Sequence, residues 1–82
     1  INLFEKQTPN ELYNLLKQYN INFILIDMRF VTRSDNFIGR NYPLSFVQNC
    51  ERLDQQGKLS LQALSESKKL ILLKTTSYNI IS

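Results

Sequence analysis

Two short apolar runs constrain the fold of this chain more than any other feature. Residues 23–26 read Phe-Ile-Leu-Ile and are closed by Asp27, and residues 70–73 read Leu-Ile-Leu-Leu. Continuous apolar runs of this length are typical of strands that are buried inside a sheet. A helical pattern directly precedes the first run, as expected for a parallel strand. We therefore expect both runs to be buried, parallel strands.

The clearest helix signal lies before the first run. Thr8 can cap a helix, Glu11 completes a capping box, and the proline between them suits the first helical position. Apolar side chains then recur at helical spacing and give the helix one apolar face. The pattern predicts a helix over residues 9–19, which Asn20 or Asn22 can end in a left-handed conformation.

The middle of the chain has a second helical pattern. Four apolar residues share one helical face: Phe46, Val47, Cys50 and Leu53. Gly57 is a natural stop for this helix. Residues 42–46 favour a short strand, with Pro43 at its start or on an edge. Ile1 and Leu3 alternate with polar residues, which favours a short first strand.

The remaining segments are described by weaker patterns. Residues 28–42 are polar and irregular, and part of 33–38 fits one helical turn. Residues 59–64 form a small apolar segment whose type stays open. Residues 75–77 begin a polar loop. Strands that alternate with helices predict an α/β fold, a small, mostly parallel sheet flanked by helices, as a single domain over residues 1–82.

Composition excludes several classes of function. His is absent and Cys50 is the only cysteine, so we expect no internal disulfide, no metal site and no cofactor. A single cysteine fits a reducing compartment, and we expect a cytoplasmic protein. The net charge of +3 is spread along the chain, which argues against nucleic-acid binding. No apolar stretch is long enough to span a membrane. The first residue is Ile1 rather than Met, so we expect a processed form or a part of a larger parent protein.

In order and spacing, these segments resemble the rhodanese-like domains. Residues 8–16 match the capped helix that opens the family pattern, and residues 23–29 match an apolar strand that ends in Asp-x-Arg. Residues 35–41 are similar to the family's Gly-His turn in outline, with Arg40 in place of the His. Residues 70–73 are similar to the strand that delivers the active-site loop. The non-catalytic rhodanese-like domains of MAP-kinase phosphatases and ubiquitin-specific proteases are similar in the same way.

This resemblance implies where an active site would lie and what it lacks. Family chemistry uses a Cys thiolate in a loop of backbone N–H groups, and the related phosphatases add an Arg that holds the phosphate. The corresponding segment here contains neither residue; it consists of Lys74, Thr75, Thr76, Ser77 and Tyr78. A threonine is a poor nucleophile without a base nearby. We therefore expect no enzymatic activity, and interpret Cys50 as a buried small apolar residue.

Two other sets of residues are candidates in the same region. An acidic residue at the carboxyl end of a strand is a common catalytic position, which makes Asp27 and Arg29 candidates. The resemblance instead implies a structural role, in which their charge-assisted hydrogen bonds tie the strand end to a neighbouring loop, and we favour that role. Arg29, Arg33, Arg40 and Lys74 are candidate contacts for an anion near the degenerate loop. Scattered basic residues more often form a solvated surface, and that alternative stays open.

Three functions are consistent with these observations. The first is a non-catalytic, regulatory module that binds a protein, with a kinase or a component of the ubiquitin system as the partner that the resemblance suggests. The second is a degenerate domain that adds packing surface inside a larger protein. The third is an enzyme with divergent sulfurtransferase or phosphatase chemistry. The chain also ends early for the family. If the closing elements are missing, we expect one face of the sheet to expose apolar surface around residues 70–73.

Overall fold

The structure, a computed structural model, describes residues 3–5, 7–33 and 41–76. Two helices and five strands occur in these ranges, with a single 3-10 turn at Met28–Phe30. In chain order they are α1 (Pro9–Gln18), β1 (Phe23–Asp27), β2 (Val31–Thr32), β3 (Tyr42–Pro43), α2 (Leu44–Gln55), β4 (Leu59–Ala63) and β5 (Leu70–Thr75). The expected class, a small α/β domain, is confirmed.

The main sheet is antiparallel, so the expectation of a mostly parallel sheet is wrong. Its strand order is β1-β5-β4, and β5 pairs antiparallel with both neighbours. Among the described strands, only the two-residue strands β2 and β3 pair in parallel, as a separate ribbon. The error has a physical cause. The segment 59–63 is a strand that forms a hairpin with β5. The direction of β5 is therefore opposite to the one that a helical crossover would give it.

The two faces of the main sheet differ in their cover. Alternate residues of β1 and β5 point to one face, where Ile26 and Leu73 are almost fully buried. On the opposite face Phe23 and Leu25 are each 61% exposed. The run 23–26 is therefore buried on one side only, and the prediction of a strand buried on both sides is wrong. The reason is that both helices lie on the same side of the sheet.

The core lies between the helices and the inner face of the sheet. Leu12 and Leu16 of α1 are fully buried there. The predicted apolar face of α2 is confirmed, because all four of its residues are buried. The buried cluster comprises Leu12, Leu16, Ile26, Phe46, Val47, Cys50, Leu53, Leu59 and Leu73. The result is two layers, one of helices and one of strands.

Both helices end in the same hydrogen-bonded turn. After α1, Asn20 adopts a left-handed φ of 54°, and the amide of Ile21 donates to the carbonyl of Leu16. After α2, Gly57 has a φ of 76°, and the amide of Lys58 donates to the carbonyl of Leu53. These are Schellman motifs. They confirm Asn20 and Gly57 as the residues that end the helices.

Two local expectations differ from the structure. Leu3 lies in a turn rather than in a first strand, while Ile1 lies outside the described residues. The strand expected over residues 42–46 contains only Tyr42–Pro43, because Leu44 already begins α2. The ring of Phe4 packs against the start of α2. It stacks on the Tyr42 ring, with 5.2 Å between ring centres, and meets the Phe46 ring edge-on at 4.8 Å. Most of the expected turn at 33–38 falls outside the described residues.

Candidate functional site

The Asp27–Arg29 pair closes the carboxyl end of β1. Asp27 accepts two hydrogen bonds from the Arg29 guanidinium, from Nε at 2.9 Å and from Nη2 at 2.7 Å. The amide of Arg29 donates to the same carboxylate at 3.0 Å, so Asp27 also caps the 3-10 turn. This bidentate geometry gives a strong and directional ion pair. The structure thus shows Asp27 and Arg29 bonded to each other at the strand end.

The charge of Asp27 is stabilised locally. The hydrogen bonds from the Arg29 side chain hold the pKa of the Asp27 carboxyl below its usual value, and they hold the pKa of Arg29 above its usual value. On the other side of the backbone, the hydroxyl of Tyr42 donates to the carbonyl of Asp27. This bond joins the β2–β3 ribbon to the end of β1. An arginine engaged in this way has fewer free donors for an external anion.

The antiparallel sheet separates two of the candidate anion contacts. Lys74 lies opposite Phe23 at the start of β1, whereas Asp27 lies opposite Leu70. The backbone positions of Lys74 and Asp27 are therefore four residue steps, about 13 Å, apart along the strands. In a parallel sheet the carboxyl ends of both strands would meet at one edge. The expected convergence of Arg29 and Lys74 does not occur, because the strands run in opposite directions.

The expected degenerate loop begins later than the sequence suggests. Lys74 and Thr75 are the last residues of β5, and Thr76 follows the strand. The hydroxyl of Thr76 donates to the carbonyl of Gly57 at 2.6 Å, and that of Thr75 donates to the carbonyl of Asn22 at 3.4 Å. Both hydroxyls thus tie β5 to neighbouring chain segments.

Of the remaining candidate residues, the structure describes only Arg33. Arg33 is exposed at the end of the second described range. Arg40, Ser77 and Tyr78 lie outside the described residues, so their predicted roles stay predictions. Within the described residues, no group of three or more acidic, histidine or cysteine side chains could hold a metal ion.

Cys50 is a core residue, as predicted. Its side chain is fully buried on the inner face of α2. Burial, with a smaller contribution from the neighbouring Glu51 carboxylate, raises the pKa of the thiol to about 12. A reactive cysteine needs the opposite environment, one that is electropositive and accessible.

The face of the main sheet opposite the helices carries a continuous apolar surface. We call this surface the outer face. Its apolar members are Phe23, Leu25, Leu64, Leu70 and Leu72, and its polar members include Ser60, Gln62 and Lys74. Directly paired residues share a face, which places Leu25 beside Leu72 and Phe23 beside Lys74. The Nζ atom of Lys74 lies 5.9 Å from the centre of the Phe23 ring. Sequence reasoning expected exposure around residues 70–73, but the most exposed members lie on β1.

The two outer edges of the main sheet also differ. The amide of Thr75 donates to the carbonyl of Asn22, and the amide of Met28 donates to the carbonyl of Lys69. These two bonds show which residues of β1 direct their backbone groups toward β5. It follows that the backbone N–H and C=O groups of Phe23 and Leu25 point away from β5, toward the open edge. Among the described residues, none forms a hydrogen bond with the outward backbone groups of Phe23 or Leu25.

The edge at β4 is treated differently. The amide of Leu61 points outward there, and it donates to the Asp54 carboxylate of α2 at 3.2 Å. A side chain that occupies an edge amide is one way in which proteins block further strand pairing. The described sheet thus has one blocked edge and one open edge.

A shallow, polar depression lies on α2 and is lined by Gln48, Glu51, Arg52 and Gln55. Its lining lacks the apolar walls that are usual for small-molecule sites. None of the described helices has the length and apolarity needed to cross a membrane.

Comparisons with known proteins add no family to this description. No family model matches the chain, and no curated protein and no solved structure matches it. The rhodanese-like resemblance therefore depends on the sequence motifs alone, and the function has to be argued from the chain's own surfaces.

Proposed function

We propose that this chain is a non-catalytic module that binds a protein partner through the outer face of its sheet. The observation that carries this role is the exposure of Phe23 and Leu25 on a strand whose inner residues are buried. Apolar side chains that lie together on an exposed face are typical of interaction surfaces. Aromatic residues such as Phe23 are also enriched among the residues that anchor protein interfaces.

We assign the role to the outer face rather than to residues 74–78. The hydroxyls of Thr75 and Thr76 already bond to the backbone of the chain. Arg29 is engaged by Asp27, and Lys74 lies at the other end of the sheet. The burial and raised pKa of Cys50 support the non-catalytic part, because its thiolate is scarce at neutral pH.

A pair of photo-crosslinking variants tests the role. Benzoylphenylalanine replaces Phe23 in one variant and Tyr19 in the other, and both variants are irradiated in lysate of the cells from which the chain comes. The two positions are matched, since both are aromatic and their side chains are 61% and 51% exposed. Only Phe23 belongs to the outer face.

We expect a defined crosslinked product from position 23 that is weak or absent from position 19. Leu25→Thr combined with Leu72→Thr should reduce the product, because both leucines belong to the same surface. Identical products from both positions, or none from either, would contradict a partner on the outer face.

A further inference from the structure

The open edge of β1 indicates how a partner would bind. We propose that β1 accepts an extended partner segment as an additional strand, and that this segment carries apolar residues at alternate positions and a carboxylate beside Phe23 and Lys74. This inference rests on the proposed function, because it specifies the partner of the same surface. Strand addition is a common mode of peptide recognition, in which the backbone supplies affinity and alternate side chains supply specificity.

Hydrogen-bonding geometry is the first argument for an added strand. Phe23 and Leu25 each direct an N–H and a C=O outward, so a partner strand can form a regular ladder with them. Asp54 blocks the corresponding position at the opposite edge. The outward carbonyl of Asp27 is already taken by Tyr42, which limits the open segment to the first part of β1.

Side-chain exposure is the second argument. The residues with outward backbone groups are the same ones that are most exposed among the large apolar residues of the sheet, Phe23 and Leu25. An added strand places its alternate side chains next to them on the outer face, at the separation of directly paired residues. One partner segment can therefore satisfy the backbone groups and cover apolar surface together.

The charges beside β1 indicate which charged side chain the partner segment should carry. The ammonium group of Lys74 reaches over the Phe23 ring toward the open edge. Asp27, at the far end of β1, is neutralised by Arg29. A carboxylate on the partner strand beside Phe23 would meet a positive charge, and a lysine there would meet a like charge.

Area and charge both disfavour a second copy of the chain as the occupant. Three strands of five residues present a footprint of about 240 Å². A stable interface buries about 800 Å² on each partner. Two copies would also bring together two chains of net charge +3, each with a lysine at the contact.

The experiment uses the full chain and a synthetic peptide, acetyl-Ser-Val-Thr-Val-Thr-Glu-Ser-amide. In an antiparallel addition its two valines and its glutamate share the outer face, with the glutamate beside Phe23. Amide chemical shifts of the ¹⁵N-labelled chain report binding at each residue. Two N-methylated peptides form the matched control, one methylated at the second valine, which faces β1, and one at the following threonine, which faces away.

Strand addition predicts a clear order of affinities. Methylation at the valine should weaken binding at least tenfold, and methylation at the threonine should have less than a twofold effect. Replacing the glutamate by lysine, or Lys74→Met in the chain, should weaken binding about two- to fivefold, as expected for an exposed ion pair. The amides of Phe23 and Leu25 should shift most.

Each alternative has its own outcome. Equal effects of the two methyl groups, with shifts across Leu70 and Leu72, would overturn strand addition and leave the outer face as a binding surface. No binding at millimolar peptide would overturn the inference, while the crosslinking result would still decide the proposed function. Concentration-dependent broadening of Phe23 and Leu25 without peptide would identify a second copy as the occupant and overturn it too.

Discussion

Thr8 stabilises the first turn of α1 through its hydroxyl. The amide of Glu11 donates to this hydroxyl at 3.2 Å, and the Glu11 carboxylate accepts from the amide of Thr8 at 2.9 Å. These bonds hold the pKa of Glu11 below its usual value. We expect Thr8→Ala to lower the free energy of unfolding by about 1 kcal/mol. Urea denaturation measures this loss, and Thr8→Ser is the control that should keep most of the stability. Equal losses in both variants would show that the hydroxyl contributes nothing.

Cys50 should make the chain less stable at alkaline pH. A thiol in an unfolded chain has a pKa of about 8.5, whereas burial raises the pKa of folded Cys50 to about 12. Between these two pKa values the Cys50 thiol is protonated in the folded state and deprotonated in the unfolded state. The stabilisation is complete below the unfolded pKa and is lost as the pH rises toward the folded value.

The comparison of wild type with Cys50→Ala isolates this titration. Between pH 7 and pH 10 the wild type should lose about 2 kcal/mol more stability than the variant, since each pH unit contributes about 1.4 kcal/mol. Urea denaturation at the two pH values measures the difference. Parallel losses in both proteins would mean that the thiol titrates normally in the folded state.

At the scale of elements, the two helix ends form a matched pair. Gly57 has a left-handed φ of 76°, and a Cβ added there would meet no atom within 4 Å. Gly57→Ala therefore tests backbone strain alone, and we expect a loss of about 1–2 kcal/mol. Asn20 already has a side chain at a φ of 54°. Asn20→Gly should leave stability unchanged or slightly higher in the same thermal or urea measurement. A harmless Gly57→Ala would contradict the left-handed turn.

Helices and sheet differ in how far the sequence predicts them. The start of α1, its end at Asn20 and the buried face of α2 depend on residues within a few positions of each other, and the sequence predicts them. The direction of β5 depends on pairing between residues as distant as Phe23 and Lys74. An apolar run has the same composition in either direction. Nothing local distinguishes a parallel strand from an antiparallel one when the hairpin partner, β4, has an ambiguous pattern.

The same limit applies to the candidate site. Once the strand direction changes, Lys74 lies at the opposite end of β1 from Asp27 and Arg29, and the exposed apolar residues of β1 become the main surface feature. The burial of Cys50 depends on its place on the apolar face of one helix, and the sequence predicts it. The Asp27 and Arg29 side chains bond to each other, whereas the sequence suggested bonds to a neighbouring loop. The position of β1 at an edge of the sheet could not be predicted, because it depends on the strand order β1-β5-β4, which only long-range pairing decides.

At the scale of the whole molecule, the two-layer arrangement can be tested on one strand. Leu73 is fully buried on the inner face, while its neighbour Leu72 is partly exposed on the outer face. We expect Leu73→Ala to lower the free energy of unfolding by about 2–5 kcal/mol, the usual range for a buried leucine. Leu72→Ala should cost less than half of that. Similar losses at both positions, measured by urea denaturation, would indicate that the outer face is covered within the chain.

The central position of β5 also decides when the fold can form. Both β1 and β4 pair with β5 in the main sheet, and β5 is the last described strand in the chain. A growing polypeptide on the ribosome has made the capped helix, β1 and α2 before the strand that joins them exists. Long-range pairing of this kind folds slowly and leaves apolar segments exposed meanwhile. The sheet must therefore assemble after residues 70–75 have left the exit tunnel, and until then Ile26, which the folded sheet buries, is available to chaperones.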